Sequence, residues 1–241
     1  MYTAAFVDPE LRGDLSYSQI TLPTQLVYCH RHNIEHIVLD RFDPKFEQAL
    51  ETHSIDVGTE RKKKKRIWFN KLQAFEKFLA SDADAMCLID LDAYCIAQSP
   101  NIFDDHSRGV WIMEESNTEY ARQFPQRWED AFDMPFPALN PSYTNIGVAT
   151  FDRQSVEFLM PFIMPPYTVD WFTEQDLMMW ACWKARIQIQ PLDISWNAPI
   201  NPVKNGKIDD AKILHPRGGM HHERKSTRTA FLDHICQTSI I

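Results

Sequence analysis

The chain has 241 residues, 44% of them hydrophobic, and a formal net charge of −8 at neutral pH. That length accommodates one large or two small domains, and the acidic balance argues against a nucleic-acid partner. No run approaches the about 20 apolar residues of a spanning helix, and Met1 to Ala5 lacks a basic, then apolar leader, so a soluble cytoplasmic protein is expected. Five cysteines, an odd number without a CxxC pair, suit reduced packing thiols and not a disulfide frame or zinc site.

Tyr2 to Val7 reads as a first strand ended by Asp8-Pro9. Tyr17 to His32 carries helical apolar spacing, with Pro23 best suited to the first turn. Glu35 to Asp40 contains a second strand, and strand–helix–strand order predicts a parallel βαβ start. Ligands of open α/β sheets bind beyond the carboxyl ends of strands, which makes Asp8 and Asp40 candidates to meet a nucleotide; both residues are equally suited to capping or turning the chain. The block Arg61-Lys62-Lys63-Lys64-Lys65-Arg66 reads as a solvated loop, or as a contact for a phosphate-rich ligand, an anionic membrane face or nucleic acid, with a nuclear import signal as a further compositional reading. Trp68, Leu72, Phe75 and Leu79 predict a helix over 67–80, with Lys71 near its start.

The centre of the sequence is Met86-Cys87-Leu88-Ile89 followed by Asp90-Leu91-Asp92. Residues two apart on an extended segment project to one side, so the two carboxylates aim at a common point. Their mutual repulsion is relieved by a divalent cation, and carboxylate oxygens suit Mg²⁺ or Mn²⁺ together with substrate phosphates. A turn-capping role is the competing reading, because aspartate is common in turns.

Val110 to Met113 is the next strand candidate, ending at Glu114-Glu115. From Ser116 to Tyr143, Tyr120, Phe124, Trp128, Phe132, Phe136 and Tyr143 mix with prolines and charges, as in a lid or acceptor-binding insertion or a small packed subdomain. Thr144 to Asp152 is a strand whose Gly147 permits close approach of a ligand or another backbone. Arg153 to Met160 is a short helix stopped by Pro161, and Thr173-Glu174-Gln175-Asp176 opens another with capping-box spacing. Ile187 to Leu192 alternates as a strand, and Asp193 to Asn197 leads into a loop. Lys212 to His215 is a last strand before Pro216-Arg217-Gly218-Gly219, and a helix is predicted over 227–236.

Taken in order, Lys71, LIDLDAYCIAQSPNIF, TNIGVATFD, TEQDLMMW and ILHPRGG followed by Lys225 resemble the nucleotide-diphospho-sugar glycosyltransferases of the GT-A fold. The pattern is most similar to family 8, the glycogenin and lipopolysaccharide galactosyltransferase type. The resemblance implies an α/β three-layer sandwich around a central mixed, mostly parallel sheet. It implies one domain over 1–241, with a nucleotide-sugar half at 1–115 and an acceptor-side half with the metal loop at 116–241. It further implies Mn²⁺ or Mg²⁺ on Asp90, Asp92 and His215. Donor contacts would come from Phe6, Asp8, Asp40, Lys71, Asp90, Leu91, Gly218 and Lys225, and a reacting face from Asn145, Glu174, Gln175 and Asp176. The interval to Lys225 exceeds that of the family's HxxGxxK pattern, which leaves Arg217 and Arg224 as substitutes. The activity implied is transfer of a hexose from a UDP- or GDP-sugar to a carbohydrate or glycoconjugate hydroxyl with retention; inversion would require a carboxylate base, for which Asp176 and Glu114 are candidates. A haloacid-dehalogenase-type phosphohydrolase also places DxD after an apolar strand, but with Thr or Val where Tyr94 stands. A sugar nucleotidyltransferase would begin with a Gly-rich loop, whereas residues 1–15 hold only Gly13. A non-catalytic sugar-nucleotide-binding relative is the remaining alternative.

Overall fold

The computed structural model describes residues 1–4, 18–53, 68–115, 122–123, 125–126, 129, 143–164, 174–199 and 210–215. Its central sheet has the order β2-β1-β3-β6-β5-β7, formed by β1 (Tyr2–Ala4), β2 (Ile37–Leu39), β3 (Ala85–Asp90), β5 (Val110–Glu114), β6 (Thr144–Asp152) and β7 (Ile189–Pro191). The pairs β1–β2, β1–β3 and β5–β7 are parallel, whereas β6 runs antiparallel to both β3 and β5. A smaller sheet, β4-β9-β8, joins Tyr94–Cys95, Ile213–His215 and Ala198–Pro199.

β3 explains the architecture. Met86 and Leu88 lie in one apolar cluster with Phe75 and Phe78 of α3 (Gln73–Leu79), Leu159 and Ile163 of α5 (Arg153–Ile163) and Leu177 of α6 (Glu174–Lys184). Cys87 and Ile89 lie in another, with Tyr28 and Cys29 of α1 (Ser18–Arg31), Trp196 and Ile213. A strand covered on both faces reads as a continuous apolar run and not an alternating one, and burial of each large side chain contributes about 1.5–3 kcal/mol. The result is the α/β layering with a mixed, mostly parallel sheet that the resemblance implied.

Both proline expectations need correction. Pro23 sits inside α1, beyond its first turn, where the buried face of Thr21, Gln25, Tyr28 and Cys29 carries the helix through. Pro161 does not stop α5, which continues to Ile163 because Leu159 and Ile163 are both fully buried. The helix predicted over 67–80 is broken: residues 68–70 are helical, 71 and 72 form a turn, and α3 resumes at Gln73. Backbone bonds from Leu72 to Phe69, Ala74 to Lys71 and Phe75 to Leu72 span three residues each, the tighter 3-10 pattern. The stretch 193–197, expected to be loop, is a 3-10 turn (Ile194–Asn197) whose Asp193 side chain accepts from the Ser195 amide at 2.9 Å. The four described cysteines, Cys29, Cys87, Cys95 and Cys182, are buried free thiols.

Candidate metal centre

The DxD segment forms a turn, with the Ala93 amide donating to the Asp90 carbonyl at 3.0 Å. Helix α1 holds this turn through polar side chains on its buried face. Thr21 Oγ1 donates to the Leu91 carbonyl at 2.6 Å, and Gln25 Nε2 donates to the carbonyls of Asp90 (3.2 Å) and Ala93 (2.8 Å). Gln25 Oε1 accepts from Thr3 Oγ1 at 2.7 Å, and His36 Nε2 lies 2.8 Å from the same hydroxyl. Buried carbonyls of a tight turn are thereby satisfied without water.

Opposite the turn, β9 brings in His215. Its Nε2 lies 3.2 Å from Asp92 Oδ1 and 3.6 Å from Asp90 Oδ2. One ligand atom from each of Asp90, Asp92 and His215 falls within 4.8 Å of the others. Adjacent ligands of an octahedral ion with bonds of 2.0–2.1 Å sit about 3 Å apart, so two carboxylates and an imidazole at these separations fit a small divalent cation. The side chains of His215 and Asp92 are nearly enclosed, at 6% and 12% exposure, while Asp90 retains 31% and leaves one side open to a ligand.

The other oxygen of Asp90 is held by Lys71, whose Nζ lies 3.2 Å from Asp90 Oδ1 and 2.9 Å from Glu174 Oε1. The break before α3 positions this lysine. Burial pulls the Lys71 ammonium toward deprotonation, but the charges of Asp90 and Glu174 outweigh it and hold its pKa above the ordinary lysine value.

A slip in the sheet shapes the floor of the site. Between β5 and β6 the register jumps from Ile112–Ala149 to Met113–Asn145. Such irregularities release backbone groups from the ladder, and here side chains take them up: the Gly147 amide donates to Asn145 Oδ1 (2.9 Å) and the Ile146 amide to Gln175 Oε1 (3.2 Å). Gln175 Nε2 in turn donates to the Tyr143 hydroxyl at 2.7 Å. A Cβ on Gly147 would lie 2.1 Å from His215 Cε1, so only glycine lets the imidazole rest on this strand.

Of the residues singled out from sequence, Asp90, Asp92 and His215 converge, and Lys71 and Glu174 join them as an ion pair. Asn145 and Gln175 lie beneath, and Asp176 is wholly buried. Leu91 is buried with its carbonyl committed to Thr21. Asp40 follows β2, its side chain 70% exposed and 3.8 Å from that of Arg41. Tyr143, grouped with the aromatic insertion, is buried against the site. Phe6, Asp8, the 61–66 block, the aromatic residues from Tyr120 to Phe136, Thr173, Arg217, Gly218, Arg224, Lys225 and the helix at 227–236 lie outside the described residues. Sequence reading missed Asn197, which bonds to His215, and Glu115, which bonds to Asn145. Neither contact is marked by any local pattern: the first joins residues 18 apart and the second residues 30 apart.

The fold and the arrangement of acidic turn, sheet and returning histidine define a chain of the GT-A glycosyltransferase fold. No protein-family model matches the sequence, and no curated protein does. Among solved structures the chain is similar to galactosyltransferase LgtC in complex with donor and acceptor sugar analogues, with 10% identity and a TM-score of 0.54 over 97% of this chain and 96% of that one. It is similar to mouse xyloside xylosyltransferase 1 in its apo form, with 12% identity and a TM-score of 0.51 over 90% and 96%. A glycosyltransferase involved in the glycosylation of the major capsid of PBCV-1 gives 13% identity and a TM-score of 0.50 over 95% and 97%. At these identities the likeness is one of fold, and it bears out the sequence resemblance at that level.

Proposed function

We propose that this chain is a metal-dependent glycosyltransferase that moves a hexose from a nucleotide-diphosphate sugar, UDP-linked in preference to GDP-linked, to a carbohydrate or glycoconjugate hydroxyl. The observation that carries the reading is the meeting of Asp90, Asp92 and His215 within 4.8 Å on a glycosyltransferase fold. Mn²⁺ or Mg²⁺ held there would supply a Lewis acid for the diphosphate leaving group. Lys71 holds Oδ1 of Asp90, so that Oδ2 is the oxygen facing His215, where a cation would be held. This arrangement is preorganised charge stabilisation, which can supply most of the rate enhancement without a covalent protein intermediate.

Retention is the outcome favoured at Glu174 and Asp176, while Glu114, exposed at the end of β5, is the base candidate for inversion. Glu174 is paired with Lys71 and Asp176 is wholly buried, so neither is disposed as a base open to an acceptor hydroxyl. Glu174, Gln175, Asp176 and Asn145 therefore hold the reacting face in shape. On this reading residues 1–115 form the nucleotide-sugar half, 116–241 form the acceptor-side half together with the metal loop, and Phe6, Asp8, Asp40, Leu91, Gly218 and Lys225 remain candidate donor contacts. The chain would act in the cytoplasm, with any membrane contact made through 61–66; no helix among the described residues is long and apolar enough to cross a bilayer.

A direct test is a thermal-shift titration with nucleotide sugars, with and without Mn²⁺. UDP-hexose should raise the melting temperature only when the metal is present. Asp90→Asn should abolish both that shift and sugar transfer while leaving the metal-free melting temperature within a few degrees of wild type, which corresponds to about 1 kcal/mol or less. Transfer surviving in Asp90→Asn and in chelator would overturn the proposal.

A further inference from the structure

Behind the imidazole of His215, on the side away from the carboxylates, a half-buried Asn145 and a buried Asn197 have their donor and acceptor ends fixed by a single backbone group. The Gly147 N–H can only donate, and it donates to Asn145 Oδ1 at 2.9 Å, which identifies that atom as oxygen. Asn145 Nδ2 then faces Glu115 Oε2 at 3.3 Å, an acceptor as it must be. Asn197 places one end of its amide 3.1 Å from Asn145 Oδ1 and 3.4 Å from the Asn145 carbonyl. Both are acceptors, so that end is the NH₂ and the opposite end is Oδ1. Asn197 Oδ1 lies 2.8 Å from His215 Nδ1. An oxygen without a proton can only accept, so Nδ1 must carry a hydrogen; in the neutral ring that metal ligation requires, the lone pair is then on Nε2, the atom facing Asp90 and Asp92. Amide orientation is often ambiguous from geometry alone, but here it is propagated from a peptide N–H that has no second orientation.

We propose that Asn197 is a positioning residue that sets the tautomer and the ring plane of His215 for metal binding, and that the Asn145–Gly147 corner sets Asn197. The inference rests on the metal reading above and extends it to a residue that touches neither ion nor substrate. Asn197 is fully buried, so its amide has little freedom to turn. The imidazole is also confined from the side, since a Cβ at Gly147 would approach Nδ1 to 2.6 Å. Metal-bound histidines usually give their second ring N–H to such a partner, and losing it weakens metal binding about 10- to 100-fold.

The test compares wild type, Asn197→Leu and Asn197→Asp. Leucine keeps the approximate volume and removes the acceptor; aspartate keeps an acceptor opposite Nδ1. Free Mn²⁺ followed by electron paramagnetic resonance should give a dissociation constant about 10- to 100-fold weaker for Asn197→Leu and within a few fold of wild type for Asn197→Asp. In ¹⁵N-histidine-labelled, Mg²⁺-loaded protein, with His215→Gln used for assignment, wild type and Asn197→Asp should show a slowly exchanging Nδ1 proton on His215. Asn197→Leu should lose it. A folded Asn197→Leu that binds Mn²⁺ like wild type, or keeps that protected proton, overturns the inference while leaving the metal site standing. Wild type that binds no Mn²⁺ removes both. Should Asn197→Leu fail to fold, a wild-type His215 without a protected Nδ1 proton overturns it instead.

Discussion

Lys71 is a buried cation balanced between two anions, and the balance has a measurable consequence. Replacing it with methionine keeps most of its apolar stem but strands Glu174, whose side chain is only 9% exposed, as an uncompensated carboxylate. Breaking a buried pair from one side costs about 3–5 kcal/mol, and the lower end applies because Asp90 keeps some contact with water. Lys71→Met should therefore lose about 3 kcal/mol in chemical denaturation. Glu174→Gln added to it should recover a substantial part, which is the signature of a coupled pair; additive losses would show that the two residues act separately. The position of Lys71 could be seen in the sequence, but its partners could not. Nothing in the spacing reveals that the helix breaks at residue 71, because 3-10 tightening leaves no mark in the apolar pattern.

At the level of elements, what could be read from sequence was whatever two-sided burial or strong capping dictates. β6 runs from Thr144 to Asp152 as anticipated, since its apolar run is continuous and Asp152 starts α5 by accepting from the Ser155 amide at 2.7 Å. β3 and its DxD stood out for the same reason. Pro23 and Pro161 misled because propensity is a weak prior: a missing amide costs less than the burial gained by continuing the helix. Asn197 stayed hidden because it acts through a contact with β9 that no local pattern encodes. The join between α3 and α5 was equally illegible. Arg153 donates to the carbonyls of Leu79 (3.2 Å), Phe78 (3.3 Å) and Ala83 (2.8 Å), satisfying the open end of a helix far away in sequence. Arg153→Met should lower stability by about 1.5–3 kcal/mol, read as a shift of the denaturation midpoint at unchanged slope, with Mn²⁺ affinity retained.

Across the whole molecule, acid should act first through His36. Burial, assisted by the nearby terminal ammonium of Met1, lowers its pKa to about 4. An unfolded histidine titrates near 6.5, so between these values the unfolded chain binds more protons than the folded one. The stabilisation tied to neutral His36 is thus complete above about pH 6.5 and disappears as the pH falls toward 4. His36→Gln should flatten the stability profile across that window, and an unchanged slope would refute the assignment. Thr3 gives its hydroxyl proton to Gln25, so His36 Nε2 donates to Thr3, and a line of contacts runs from His36 through Thr3 and Gln25 to the carbonyls of Asp90 and Ala93.

The return of β9 to β4 has a bearing on biosynthesis. Asp90 and Asp92 emerge from the ribosome early, yet their third ligand resides on a strand that cannot pair until Ile213 to His215 have been made. A polypeptide arrested anywhere before that point carries an acidic turn but no completed cation clasp. On the metal-dependent reading proposed above, fragments from interrupted translation would lack the full set of Asp90, Asp92 and His215, and competence would arrive in one late step.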